Sequence, residues 1–118
     1  MTEGEIDLVE QEIIRIYIFG SGLRTSNPND IDLLIVYDAK IVSINEVLAL
    51  RKELANGISL KMSVPAHICL LSTDEMEYQV FVKQEKAEKI YPIMPNKSIH
   101  QTARSAAALA RQVLVGRW

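Results

Sequence analysis

The residues best suited to chemistry lie in one stretch, IYIFGSGLRTSNPNDIDLLIVYD, at positions 16–38. Gly20 ends an apolar run, so a loop there can bring backbone N–H groups and the Ser21 hydroxyl close to a phosphate. Asp30 and Asp32 are two residues apart, and on a strand their carboxylates project from one face. Carboxylate and phosphate oxygens are the ligands that magnesium prefers. The pattern predicts a metal-nucleotide site suited to in-line nucleotidyl transfer.

Two buried strands are predicted to flank this loop. Residues 13–19, IIRIYIF, are rich in β-branched and aromatic side chains, and the run ends at Gly20. Residues 31–37, IDLLIVY, have the same character, and the turn residues TSNPND at 25–30 separate the two runs. An acidic segment over residues 3–11 precedes the first strand and is predicted to be helical.

The middle of the chain predicts a helix followed by a strand. Ser43 and Glu46 have the spacing of a capping box, and apolar residues then recur at helical intervals up to Gly57, where we expect the helix to stop. Residues 64–71 return to strand character.

The last third of the chain predicts two more helices and an edge strand. Ser72 and Glu75 form a second possible capping box before a helix. KIYPIMP at 89–95 is predicted to be a short strand or an extended segment, and its two prolines favour an edge position or an exit from the sheet over a central position. A helix over about 98–115 has an apolar face of mostly small residues, which either packs on its own domain, the favoured alternative, or contacts another chain.

The chain resembles the DNA polymerase beta superfamily of nucleotidyltransferases in one pattern. That pattern is a strand followed by Gly-Ser, a short loop and then Asp-x-Asp in a hydrophobic strand. The length and element order resemble its minimal branch. The resemblance covers residues 5 to about 91, with the motif core from Gly20 to Asp32. It implies an α/β (α+β) fold in which helices flank a mixed sheet, with residues 1–118 forming a single domain.

The resemblance also implies roles for individual residues. Gly20 and Ser21 would contact the triphosphate of a nucleotide such as ATP, while Asp30 and Asp32 would hold magnesium, with manganese as the alternative metal. Minimal members of the family often act as antitoxins that adenylylate a tyrosine on a partner of the HEPN class. Such a partner is therefore one candidate acceptor here.

The sequence departs from the family pattern on the third strand. The family normally has a third carboxylate in a run such as VPAHICLLS, where this chain has His67. Imidazole is a poor ligand for magnesium but a good one for manganese or zinc. His67 is thus a candidate catalytic residue that accepts a proton or binds a metal, and the alternative is a strand histidine bonded to a neighbour.

Other charged residues are weaker candidates. Arg24 follows the Gly-Ser loop and is a candidate nucleotide-binding residue, and Lys61 precedes the third strand, although such cations are more often solvated. Asp74, Glu75 and Glu77 lie at a predicted helix start, where capping and the helix dipole explain them better than a metal does.

Composition excludes several function classes. The 118 residues carry a net charge of −2, and the sequence has no basic stripe of the kind that would predict nucleic-acid binding. No apolar run approaches the length of a membrane span and no signal peptide is evident, so a cytoplasmic protein without membrane contact is expected. The single cysteine, Cys69, lies in an apolar run and is predicted to be in the core.

Two functional hypotheses follow. The first is an enzyme that transfers a nucleoside monophosphate from a nucleoside triphosphate to a hydroxyl group. The second is a weakened or inactive module of the same fold that acts through nucleotide binding or protein contacts. The aspartate pair favours the first hypothesis, and His67 favours the second.

Overall fold

The structure is a computed structural model. It describes residues 13–20, 25, 28–74, 77–92 and 101–114. The predicted N-terminal helix at 3–11 and the residues Ser21, Arg24 and Glu75 lie outside these ranges, as do both ends of the helix predicted at about 98–115.

Over these ranges the chain forms four strands and three helices. In chain order they are β1 (Ile14–Phe19), β2 (Ile31–Tyr37), α1 (Ile44–Met62), β3 (Ala66–Ser72), α2 (Glu77–Glu85), β4 (Glu88–Tyr91) and α3 (Gln101–Leu114). Each of the predicted strands is present with shifts of a few residues at its ends.

The four strands form one mixed sheet in the order β3-β2-β1-β4. β1 is antiparallel to β2 and to β4, whereas β2 and β3 are parallel. Phe19 lies opposite Asp32 across the first pair, and Asp32 lies beside His67 across the parallel pair. β4 is an edge strand, as the two prolines of the 89–95 run predict. The sheet and its flanking helices confirm the predicted fold class.

The main core lies between one face of the sheet and helices α1 and α3. Alternate residues of β1 and β2, such as Ile16 and Leu33, are fully buried there. Leu54 of α1 and the small residues of α3, such as Ala106, pack against them. The small-residue face of α3 is therefore buried in its own domain. Because neighbouring strand residues point to opposite faces, Asp32 projects from the other side of the sheet.

Helix α1 begins as predicted but does not end at Gly57. Ser43 and Glu46 form the capping box, in which the Glu46 N–H donates to the Ser43 hydroxyl. The helix continues to Met62 and ends at Ser63, which has a left-handed φ of 58°. Gly57 lies inside the helix against α3, and packing between the two helices outweighs the roughly 1 kcal/mol cost of a helical glycine.

Helix α2 lies on the opposite face of the sheet, the face that carries Asp32. The ring of Phe81 meets that of Phe19 edge to face, with centroids 4.8 Å apart. The Arg15 guanidinium donates to the Tyr78 hydroxyl at 3.5 Å and lies over the Tyr78 ring. These contacts fix α2 over β1.

The prediction that Cys69 is a core residue is wrong, because its side chain is exposed. Cys69 lies on the outer strand β3 and points to the same face as His67, whereas Ala66 and Ile68 on the other face are partly covered by the core. An apolar sequence run can therefore be half exposed when it forms an edge strand. In the part of the chain that the structure describes, no helix is long and apolar enough to cross a membrane.

Candidate active site

The two aspartates are positioned by the start of β2. Asp32 is the second residue of this strand and is held between Phe19 on one side and His67 on the other. Asp30 comes just before the strand, two residues from Asp32. Their side chains are 35% and 26% exposed, so both carboxylates are partly shielded but still reachable from solvent.

His67 completes a three-residue cluster with the aspartates. Its Nδ1 atom is 3.9 Å from Oδ2 of Asp30 and 3.9 Å from Oδ1 of Asp32, too far for a hydrogen bond. One ligand atom from each of the three residues lies within 4.8 Å of the others. These three side chains are therefore close enough together that they could hold one cation.

The chemical types of the three metal-ligand atoms determine which cation fits this cluster. The carboxylate oxygens of Asp30 and Asp32 suit magnesium, and the same oxygens together with an imidazole nitrogen suit manganese or zinc. The residues present therefore fit a divalent metal, with His67 shifting the preference away from magnesium. The structure brings these three predicted residues together although His67 is 35 positions or more away in the chain.

Gly20 lies close to the Asp32 carboxylate, where a side chain would not fit. Its φ is +73°, a backbone conformation that residues with a side chain rarely adopt. A Cβ atom at this position would lie 2.7 Å from Oδ2 of Asp32. Both the backbone conformation and the close approach of the Asp32 carboxylate therefore favour glycine at this position.

The electrostatic environment raises the pKa of Asp32 above its ordinary value of 3.8. Burial of the carboxyl is the main cause, and the charges of Asp30 and Glu85 act in the same direction, while His67 opposes them. A bound cation would relieve the repulsion between the charges of Asp30 and Asp32. Perturbed carboxyls of this kind are common in functional sites.

This pKa predicts an unusual stability effect for Asp32→Asn in metal-free protein. A carboxyl with a raised pKa binds its proton more tightly in the folded state, so its contribution favours folding at low pH and is lost as pH rises through the raised pKa. Asparagine does not titrate. We expect the melting temperature of Asp32→Asn, relative to that of the unchanged protein, to increase as pH rises from acidic values to neutrality.

Thermal unfolding followed by circular dichroism over this pH range, with a chelator present, measures the difference. Asp38→Asn is the matched control, because Asp38 lies at the other end of β2 and accepts a bond from the Lys40 N–H in a surface turn. A melting-temperature difference for Asp32→Asn that stays constant with pH would contradict the assigned electrostatics.

The other predicted residues divide into two groups. Ser21 and Arg24 lie outside the described residues, so their predicted roles remain predictions. Lys61 lines a cavity of about 200 Å³ with Met62, Leu109 and other residues of α1 and α3, on the core side of the sheet. It therefore does not belong to the aspartate cluster.

Glu85 is a site neighbour that sequence reasoning missed. Its charge raises the pKa of Asp32. Glu85 lies one helical turn after Phe81, whose ring packs on Phe19 opposite Asp32. The only sequence signal that could have placed Glu85 near the site is its four-residue spacing from Phe81. This spacing is informative only once α2 is known to pack on the sheet face that carries Asp32.

A mixed sheet with paired carboxylates at the start of one strand, next to a strand-ending glycine, defines a domain of the nucleotidyltransferase type. Residues 6–91, well over half of the chain, match the family model described as Polymerase beta, Nucleotidyltransferase. The chain belongs to this family, and the resemblance read from the sequence is confirmed. Comparisons with curated proteins and with solved structures found no match.

Proposed function

We propose that this chain is a metal-dependent nucleotidyltransferase that transfers a nucleoside monophosphate from ATP or a similar triphosphate to a hydroxyl acceptor. The observation that carries the proposal is the cluster of Asp30, Asp32 and His67 beside Gly20. These groups come from three separate segments of the chain. Family membership supports the reaction class.

Asp30 and Asp32 would hold magnesium or manganese. When bound, the metal supplies positive charge that favours ionisation of the acceptor hydroxyl and stabilises the leaving pyrophosphate. The absence of a side chain at Gly20 leaves room for the triphosphate near the carboxylates. Ser21 follows directly in the chain, and we assign its hydroxyl and the nearby Arg24 to the phosphates on the basis of the family resemblance.

His67 is the residue we assign to the acceptor side of the site. Its side chain is 64% exposed, so an acceptor hydroxyl can approach it from solvent. When His67 does not bind the metal, its neutral imidazole can accept the hydroxyl proton as the new phosphoester bond forms. The acceptor that the family resemblance favours is a tyrosine of a HEPN-class protein, which would give this chain an antitoxin-like role.

The direct test is transfer of label from ATP. The purified chain is incubated with α-labelled ATP and magnesium or manganese, with and without a candidate HEPN-class protein, and labelled protein is resolved by electrophoresis. We expect label on the acceptor, and we expect it to be abolished when Tyr→Phe replaces the hydroxyl group of the target tyrosine with hydrogen. Label that persists in an Asp30→Ala, Asp32→Ala variant of this chain would overturn the assignment.

His67 also supports a second candidate function, a nucleotide-binding module with little turnover. An imidazole where the family has a carboxylate weakens magnesium coordination at that position. In this case the protein binds ATP through Asp30 and Asp32 but transfers nothing to any acceptor. Binding without transfer, in either metal, distinguishes this candidate from the enzyme.

The variant His67→Asp tests whether the imidazole of His67 limits magnesium-dependent transfer. It restores a third carboxylate beside Asp32, so we expect magnesium-dependent transfer to increase by roughly tenfold or more, the usual size of a change in metal ligation. The ratio of the magnesium rate to the manganese rate should increase as well. Initial rates with each metal measure both quantities.

His67→Asn is the matched control, since it removes the imidazole without adding a charge. If His67→Asp and His67→Asn have the same magnesium-dependent rate, the identity of this residue does not limit metal use. The explanation of weakened turnover through His67 would then be incorrect.

A further inference from the structure

Within the part of the chain that the structure describes, the outer edge of β3 lacks the features that normally protect an edge strand. β3 is the last strand of the sheet on its side, and within the described residues no strand pairs with its outer edge. Its seven residues, AHICLLS, include no proline, lysine, arginine or carboxylate. Natural edge strands usually carry such residues, or a bulge or covering segment, because open edges pair with other chains.

Hydrogen bonding to β2 shows which backbone groups of β3 face outward. The Ile31 N–H donates to the Pro65 carbonyl, and the Thr73 N–H donates to the Tyr37 carbonyl, so residues 65 and 73 face β2. Successive residues of a strand direct their N–H and C=O groups to alternate sides. The backbone groups of Ala66, Ile68 and Leu70 therefore face away from the sheet.

The two ends of this edge carry opposite charges. Arg51 and Lys52 of α1 line a cavity of about 250 Å³ together with Ala66 and Ile68, near the start of β3. Asp74 is exposed just after the end of the strand. A second copy of the same edge is complementary to the first only when the two strands run antiparallel.

We propose that β3 pairs antiparallel with β3 of a second copy, about a two-fold axis that passes beside Cys69. In this register Ile68 lies opposite the partner's Leu70, and both residues have outward-facing backbone groups that can exchange hydrogen bonds. The two four-stranded sheets become one sheet of eight strands. The strand has no charged side chain within it, so the pairing brings no like charges together there.

The same register explains the charges and the exposed cysteine. The Arg51 and Lys52 end of each strand meets the end at which the partner's Asp74 lies, and this occurs twice in the dimer. Cys69 faces its own symmetry mate at a non-hydrogen-bonded pair, where opposing Cα atoms are typically about 4.5 Å apart. His67 lies next to the axis, so the candidate active site borders the interface.

Sedimentation equilibrium of the full chain tests the proposal. We expect a mass twice the 13.3 kDa of one chain at micromolar concentration. Cys69→Lys places two positive charges together on the axis and should raise the dimer dissociation constant by about tenfold or more, since a central lysine protects edge strands from pairing. Leu60→Lys is the matched control: Leu60 is 84% exposed on α1, and the substitution should leave the dimer intact.

Two further measurements do not depend on the folding of Cys69→Lys. Hydrogen exchange of the unchanged protein should show that the amides of Ala66, Ile68 and Leu70 become protected as concentration rises. Mild oxidation should give a disulfide-linked dimer through Cys69, which is the single cysteine of the chain. A monomer at all concentrations, or a dimer that persists in Cys69→Lys with these amides unprotected, would overturn the proposal.

Discussion

Replacing either active-site aspartate with asparagine is expected to reduce nucleotidyl transfer by about a thousandfold or more, equivalent to roughly 4 kcal/mol of transition-state stabilisation. Asp30→Asn and Asp32→Asn keep the size of the side chain but remove the charge that binds a divalent cation. Among the described residues, the cluster contains Asp30, Asp32 and His67, so each variant leaves it with a single carboxylate. Initial rates of label transfer from ATP at saturating metal measure the loss.

The fold should survive both substitutions, because each side chain is partly exposed and neither belongs to the main core. Asp38→Asn is again the control, since it changes a carboxylate that directly follows β2, at the far end of the strand from the site. Transfer that remains within a few-fold of the original in Asp32→Asn would show that the metal is held elsewhere.

Gly20→Ala is expected to have the second largest effect. The new methyl group would lie 2.7 Å from Oδ2 of Asp32, a distance that Cβ atoms do not tolerate, so either the carboxylate or the backbone must move. The φ of +73° adds about 1 kcal/mol of strain for a residue with a side chain. We expect transfer to fall by about a hundredfold, since displacements near 1 Å in a catalytic site have costs of this order.

Gly57→Ala provides a matched control for this prediction. Gly57 lies within helix α1, and a Cβ there would be 3.7 Å from the Leu109 side chain, an ordinary contact distance. Alanine should increase the free energy of unfolding by up to about 1 kcal/mol and leave transfer unchanged. Equal activity of Gly20→Ala and Gly57→Ala would contradict the role assigned to Gly20.

The sequence was sufficient to predict the parts of the site that depend on local pattern. The strand before Gly20 and the strand after Asp30 are mostly apolar, and such runs are predictable because one face of each strand is buried and the other is at least partly covered. The two-residue spacing of the aspartates then fixes their common face. The family match over residues 6–91 confirms the class of protein that this motif predicts.

Features that depend on packing between distant elements were not predictable in the same way. Gly57 resembles a helix stop in the sequence, but its contact with α3 keeps it inside α1. Cys69 resembles a core residue, yet β3 is an edge strand. Glu85 approaches Asp32 only because the rings of α2 and β1 pack together. In each case the decisive partner is remote in the sequence.

The central claim is that Asp30 and Asp32 hold a metal that binds a nucleoside triphosphate. Calorimetric titration of ATP into the protein, first with magnesium and then with manganese, tests it most directly. We predict binding that requires a metal, is tighter with manganese because of His67, and is absent from the Asp30→Ala, Asp32→Ala variant. Binding of equal strength to that variant, or no binding with either metal, would contradict the claim.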